Sequence, residues 1–164
     1  MQAKPTHYCE GQARLDPGPG FFRPDSRPAR DFGVLLLRWL AGQKAAAEPL
    51  AVLDGLAGCG IRALRYGLEA HATEIWANDA DPDRLPLLQR NLGAVSGARC
   101  SAITIQKLLA QCAAAEQRFD FVDLDAFGAP MALVPWALEA VRFGGIFYLA
   151  STDGRSFTGH DRTA

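Results

Sequence analysis

The run Leu53-Asp54-Gly55-Leu56-Ala57-Gly58-Cys59-Gly60-Ile61-Arg62 sets three glycines directly behind a short apolar stretch and in front of a helical pattern. Such a run demands a strand that ends in a tight turn and opens a helix. Glycine reaches backbone conformations closed to other residues and lets a ligand approach bare backbone. The helix that follows presents unpaired N–H groups at its start. Two carboxylate-bearing tips follow, Asp79 at the end of the next apolar run and Asp123-Leu124-Asp125-Ala126-Phe127-Gly128 at the end of a later one.

The rest of the chain alternates in the same way. Residues 1–28, rich in Pro and Gly, read as an irregular arm, so the domain proper is expected over 30–164. Phe32, Leu35, Leu36, Trp39 and Leu40 predict a helix from about Arg30 to Ala47. Strands are predicted over 50–56, 74–80, 101–105, 119–126 and 146–152. Helices are predicted over 61–71, from Pro82 through Val95, over 107–118 and over 130–142. Strands alternating with helices give right-handed crossovers and a parallel sheet. The expected order is 3-2-1-4-5, with a ligand at the carboxyl ends of strands 1 and 4, where the winding reverses. The chain stops just after the fifth strand, which predicts a sheet truncated there and an edge, Ile146–Leu149, prone to self-association.

Composition narrows the class. Of 164 residues, 49% are hydrophobic and 21% charged, as in a globular α/β domain. Four scattered cysteines form no Cys-x-x-Cys pair and argue against a zinc site. No signal peptide opens the chain, and no apolar run reaches about 18 residues, so a cytoplasmic protein without a membrane span is expected. The net charge of −1 gives nucleic-acid binding no support by itself.

The glycine turn satisfies the dinucleotide pattern Gly58-x-Gly60-x-x-Ala63, with Asp79 beyond it. The pattern alone fits NAD and S-adenosylmethionine equally. Asp54, at the strand tip, favours the second: a carboxylate there meets a positively charged amino-acid moiety and repels a pyrophosphate. Its bland alternative is a turn serving only to join strand and helix, and for Asp79 a helix cap before Pro82. Asp123 and Asp125 share a face of their strand. Asp125 is the better chemical candidate, since a carboxylate before that turn can accept from an exocyclic amine, while Phe127 stacks on the base. The alternative for Phe127 is a core aromatic. Arg62 falls in the first turn after the glycines. Arg30 opens the first long helix, where its fork could clamp a cofactor carboxylate; solvated surface positions fit both arginines as well.

These segments, taken in order, resemble the Trm1 family, the tRNA (guanine-26, N2) dimethyltransferases. The resemblance rests on Phe21-Phe22-Arg23-Pro24, Arg30-Asp31-Phe32-Gly33-Val34, Asp54–Tyr66, Asn78-Asp79, Asp123–Pro130 and Thr152-Asp153. It implies a Rossmann-like class I methyltransferase that uses S-adenosylmethionine, with tRNA as partner. It assigns Arg30 and Arg62 to the cofactor, Asp79 to its ribose and Asp125 to the target amine. Three departures stand out. Ala126 and Ala129 replace the family's proline and serine in the fourth-strand turn. Phe21-Phe22-Arg23-Pro24 loses a hydroxyl and an amide. Thr104-Ile105-Gln106 stands where the family has an Asp-Ala pair at the adenine, which passes that contact to Gln106 or to backbone groups.

The function expected is methyl transfer to guanine N2 in tRNA. Other readings are a methyltransferase with another amine target, an inactive cofactor-binding fragment, and an NAD-dependent dehydrogenase. The last is disfavoured by Asp54 and by the lack of a proton-relay histidine or Tyr–Lys pair. Residues 1–38 hold six basic residues against four acidic ones. That surplus is too small for a strong phosphate grip, so the isolated chain is expected to bind cofactor but to bind and methylate tRNA poorly.

Overall fold

A computed structural model of the chain describes residues 7–45, 48–128 and 130–152. Five parallel strands form the central sheet: β3 (Ala51–Asp54), β4 (Glu74–Asn78), β5 (Ala98–Ser101), β6 (Phe119–Ala126) and β7 (Val141–Ser151). Their order across the sheet is β5-β4-β3-β6-β7, the predicted 3-2-1-4-5, so the chain has the expected α/β, Rossmann-like architecture.

Alternating side chains on β3 and β6 divide the core into two layers. Val52, Ile75, Ala77 and Phe121 pack against α1 (Arg27–Ala41), α2 (Ile61–Ala70) and α3 (Leu85–Leu92). Ala51, Leu53, Val122 and Leu124 pack against α4 (Ile105–Ala114) and α5 (Val134–Glu139). Gly60 begins α2 with φ +84°, and a Cβ there would fall 2.7 Å from Leu88 Cδ1. Only glycine serves both the backbone and the helix that crowds it.

Several boundaries differ from the sequence reading. The N-terminal arm, expected to be irregular, contains an antiparallel ribbon of β1 (Tyr8–Glu10) and β2 (Ala13–Leu15), turned at Gly11 with φ +56°. Ala13 and Leu15 enter the main core. The third sheet strand lies at 98–101, not 101–105. Helix α5 ends at Glu139, and β7 begins at Val141 rather than Ile146. Among the described residues no helix is long and apolar enough to cross a membrane.

Candidate functional site

A cleft of about 610 Å³ opens over the carboxyl ends of the strands. It lies within the size range of small-molecule sites. The glycine turn, Asp79 and the Asp125–Phe127 turn all line it, together with Phe21–Arg23 from the arm.

Asp79 stands just beyond β4. Gly58 N–H donates to its Oδ2 at 2.9 Å, and Asp81 N–H donates to its Oδ1 at 3.0 Å. These bonds fix the carboxylate and leave each oxygen a further lone pair toward the cleft. Asn78, one residue earlier, is wholly buried. Its amide donates to the carbonyls of Gly55 and Ile103, and its Oδ1 accepts from Ser101 and from Ile103 N–H. Asn78 thereby ties three strand ends together, a role that its place in the sequence does not announce.

Arg62, 4% exposed, spans two carboxylates. Its Nη1 lies 3.3 Å from Asp123 Oδ2, and its Nε and Nη2 lie 3.2 and 3.1 Å from Asp125 Oδ2. Its guanidinium carbon sits 5.5 Å from the Tyr148 ring centroid. Asp125 faces the cleft as a half-exposed group, whereas Asp123 is fully buried. Phe127 is exposed and meets Phe21 edge to face, with ring centroids 4.7 Å apart, so that the arm and the β6 turn touch at the cleft.

Two expectations need correction. Asp54 does not line the cleft. It is wholly buried beneath the glycine turn, where Ala63 N–H donates to its Oδ2 at 3.2 Å. Helix α2 starts directly above the strand tip and shields the carboxyl, so its side chain is not available to an amino-acid moiety in the cleft. Arg30 does line the cleft, but its fork is already engaged. Nε and Nη2 donate to Glu10 at 2.8 and 2.6 Å, and Nη1 and Nη2 also donate to the carbonyls of Arg23 and Pro24. Of its five donors one Nη1 N–H is left over. A bidentate clamp on a second carboxylate is therefore excluded in this arrangement.

Glu10 is the residue the sequence reading missed. Buried between α1 and α2, it also accepts from Arg65 Nη1 at 2.8 Å, and Arg65 continues to Asp31 and Glu69. Burial alone would push the Glu10 carboxyl up, but the hydrogen bonds from Arg30, Tyr8 and Arg65 bring it below its ordinary range.

A family model described as N2,N2-dimethylguanosine tRNA methyltransferase matches residues 10–164. The chain belongs to this family. It is 33% identical over 155 residues to a tRNA (guanine(26)-N(2))-dimethyltransferase of Pyrococcus furiosus, covering 86% of this chain and 39% of the relative. It is 35% identical over 158 residues to the protein of that description from Pyrococcus abyssi, with the same coverage. The structure of Trm1 from Pyrococcus horikoshii with S-adenosyl-L-methionine superposes with a TM-score of 0.72 at 26% identity, over 91% of this chain and 43% of that one. The chain thus spans about two fifths of the length of these relatives. With Asp54 out of the cleft, membership in the dimethylguanosine methyltransferase family, rather than that carboxylate, decides against the dinucleotide reading of the glycine turn.

Where the family's Asp-Ala pair was expected after the third strand, Thr104 caps α4 by accepting from Lys107 N–H at 3.4 Å, and Ile105 and Gln106 reach the cleft.

Proposed function

We propose that this cleft binds S-adenosylmethionine and that the chain is the cofactor-binding and methyl-transfer part of a tRNA methyltransferase acting on N2 of guanine 26. The observation that carries the reading is that one cleft joins the Asp79 carboxylate at the glycine turn to the Asp125–Phe127 turn. Donors and walls fit the group. The free lone pairs of Asp79 suit two ribose hydroxyls, Leu56 and Ile105 suit the flat face of an adenine with Gln106 at its edge, and Arg62 with the remaining Arg30 N–H suits a methionine carboxylate.

Bound there, the cofactor supplies a methyl group made electrophilic by its sulfonium. The protein's task is then mainly positioning. Asp125 accepts an N–H of the guanine N2 amine, so makes its lone pair more available for in-line attack, and takes the proton that the amine must shed once methylated. Its orientation is held by Arg62. Phe127, with Phe21 opposite, offers a stacking surface that offsets part of the few kcal/mol needed to take a base out of its stack. Gly58 and Gly60 keep the turn close to the cofactor. The free thiols recorded at all four cysteines suit a cytoplasmic setting.

The test has two parts. Calorimetric titration of the chain with S-adenosylhomocysteine checks the cofactor site. A methyl-transfer assay with a complete enzyme carrying this domain, on tRNA transcripts carrying guanine or adenine at position 26, checks the target. Equal methylation of both transcripts would reject the guanine-26 assignment.

We also infer that the isolated chain self-associates through β7. Among the described residues this 11-residue strand pairs with β6 alone, and Phe143 on it is fully exposed.

A further inference from the structure

Beneath the floor of the cleft lies a group of ionisable side chains that methyl transfer does not explain. Asp54 on β3 and Asp123 on β6 are partners in the parallel register, and both are completely buried. Arg62 and Tyr66, one turn apart on α2, reach down to them. The Tyr66 hydroxyl donates to Asp123 Oδ2, the oxygen that also takes Arg62 Nη1. Asp54 accepts the Ala63 amide on Oδ2. Its Oδ1, and Oδ1 of Asp123, have no hydrogen-bond partner among the described residues.

Charge and donors do not balance if every acid is ionised. Asp54, Asp123 and Asp125 are three carboxyls grouped around the single guanidinium of Arg62. An unpaired buried carboxylate is far costlier than a neutral acid. The donors decide which group keeps the proton: Asp123 has a guanidinium and a phenol, Asp54 a single amide. Cys59 in the glycine turn also faces Asp54 and Tyr148 on β7 faces Asp123, and neither brings a positive charge.

We propose that Asp54 is held as a neutral carboxylic acid and Asp123 as the carboxylate, and that this pair, clasped by Tyr66, fixes Arg62 and through it aims Asp125 into the cleft. Asp54, Asp123 and Tyr66 are then positioning residues. The proposal rests on the reading of Asp125 as the group that serves the target amine. Electrostatics agree with the geometry. Burial, reinforced by the charge of Asp123, holds the Asp54 carboxyl well above its ordinary range. Burial raises Asp123 as well, to about 6, with Arg62 and the Tyr66 hydrogen bond limiting the rise.

The test is a carboxyl carbon-13 NMR titration of the whole chain with labelled aspartate, run beside calorimetry with S-adenosylhomocysteine. Asp54 is expected to stay protonated at pH values where Asp123 is already ionised. Tyr66→Phe removes a donor to the charged form and should raise the Asp123 midpoint by about one pH unit. Asp123→Asn should release Arg62, seen as loss of its protected Nε–H resonance, and weaken S-adenosylhomocysteine about tenfold. An Asp54 midpoint below that of Asp123 overturns the proton assignment. An unchanged Arg62 resonance with unchanged affinity in Asp123→Asn overturns the positioning role. Failure of the parent chain to bind S-adenosylhomocysteine would instead reject the cofactor reading, and the carboxyl titration would still decide where the proton sits.

Discussion

Glu10 grips Arg30 through both carboxylate oxygens, at 2.8 and 2.6 Å, with its side chain cut off from solvent and that of Arg30 nearly so. The grip is structural, and it fastens the ribbon of the arm to α1. Because Arg30 also holds the carbonyls of Arg23 and Pro24, it sets the wall that Phe21 and Phe22 give the cleft. Glu10→Ala leaves two buried guanidinium groups short of a partner. It is expected to cost about 3–5 kcal/mol of stability in urea denaturation, the usual penalty for breaking a buried ion pair from one side. A loss below about 1 kcal/mol would mark Glu10 as dispensable.

The same carboxylate sets an acid limit. Its folded-state value lies below its unfolded value, so its contribution is complete above the unfolded value of about 4.3 and fades as pH falls through the folded one. Asp123 works in the opposite direction. Its folded value of about 6 lies above the unfolded one. The folded chain therefore holds an extra proton between about pH 4 and that value, and stability declines as pH rises across the window. Asp54, held well above its ordinary range, adds a decline of the same sign, so Asp123→Asn should lessen the slope in urea melts at several pH values without abolishing it. A parent whose stability does not fall over that window would show that Asp123 ionises normally.

Asp79→Ala should weaken S-adenosylhomocysteine by about 1–3 kcal/mol, as expected for a lost hydrogen-bond partner. The substitution also unties Gly58 N–H from its acceptor. Unchanged affinity by calorimetry would remove Asp79 from the site.

In a complete enzyme carrying this domain, Asp125→Asn should, on the proposed reading, retain the cofactor and lose about a hundredfold or more in methyl-transfer rate. The comparison must use saturating tRNA, so that the loss appears in kcat. A rate within a few-fold of the parent would reduce Asp125 to a partner of Arg62.

Self-association is measured by sedimentation of the isolated chain over a range of concentrations. Replacing Phe143, the fully exposed side chain of β7, by Lys puts a charge on the open strand, a device by which natural sheets protect their edges, and should shift the chain toward monomer. A parent that sediments as a monomer throughout would dismiss the idea.

The strand order was legible because β3, β4 and β6 are buried strands whose apolar runs end at polar tips. β6, at 119–126, falls where the sequence reading put it. β5 was misread because an edge strand need not look apolar: Arg99 lies over the Trp76 ring at 3.5 Å, and the strand packs through that contact. The more apolar Ile103 is drawn out of the strand by Asn78, which bonds both its N–H and its carbonyl. The arm was unreadable for a different reason. Glu10 finds its partners 20 and 55 residues away, and no local pattern signals a pairing of that span. Asp54 misled because a carboxylate at a strand tip looks like a ligand until the start of the next helix is built over it.

Gly33 gives the buried proton a mechanical guard. A Cβ at this position of α1 would lie 2.5 Å from the Tyr66 hydroxyl oxygen. A single methyl on α1 would thus push the phenol off Asp123. The ionisation of the cleft floor is, in this sense, set by how close two helices are allowed to come.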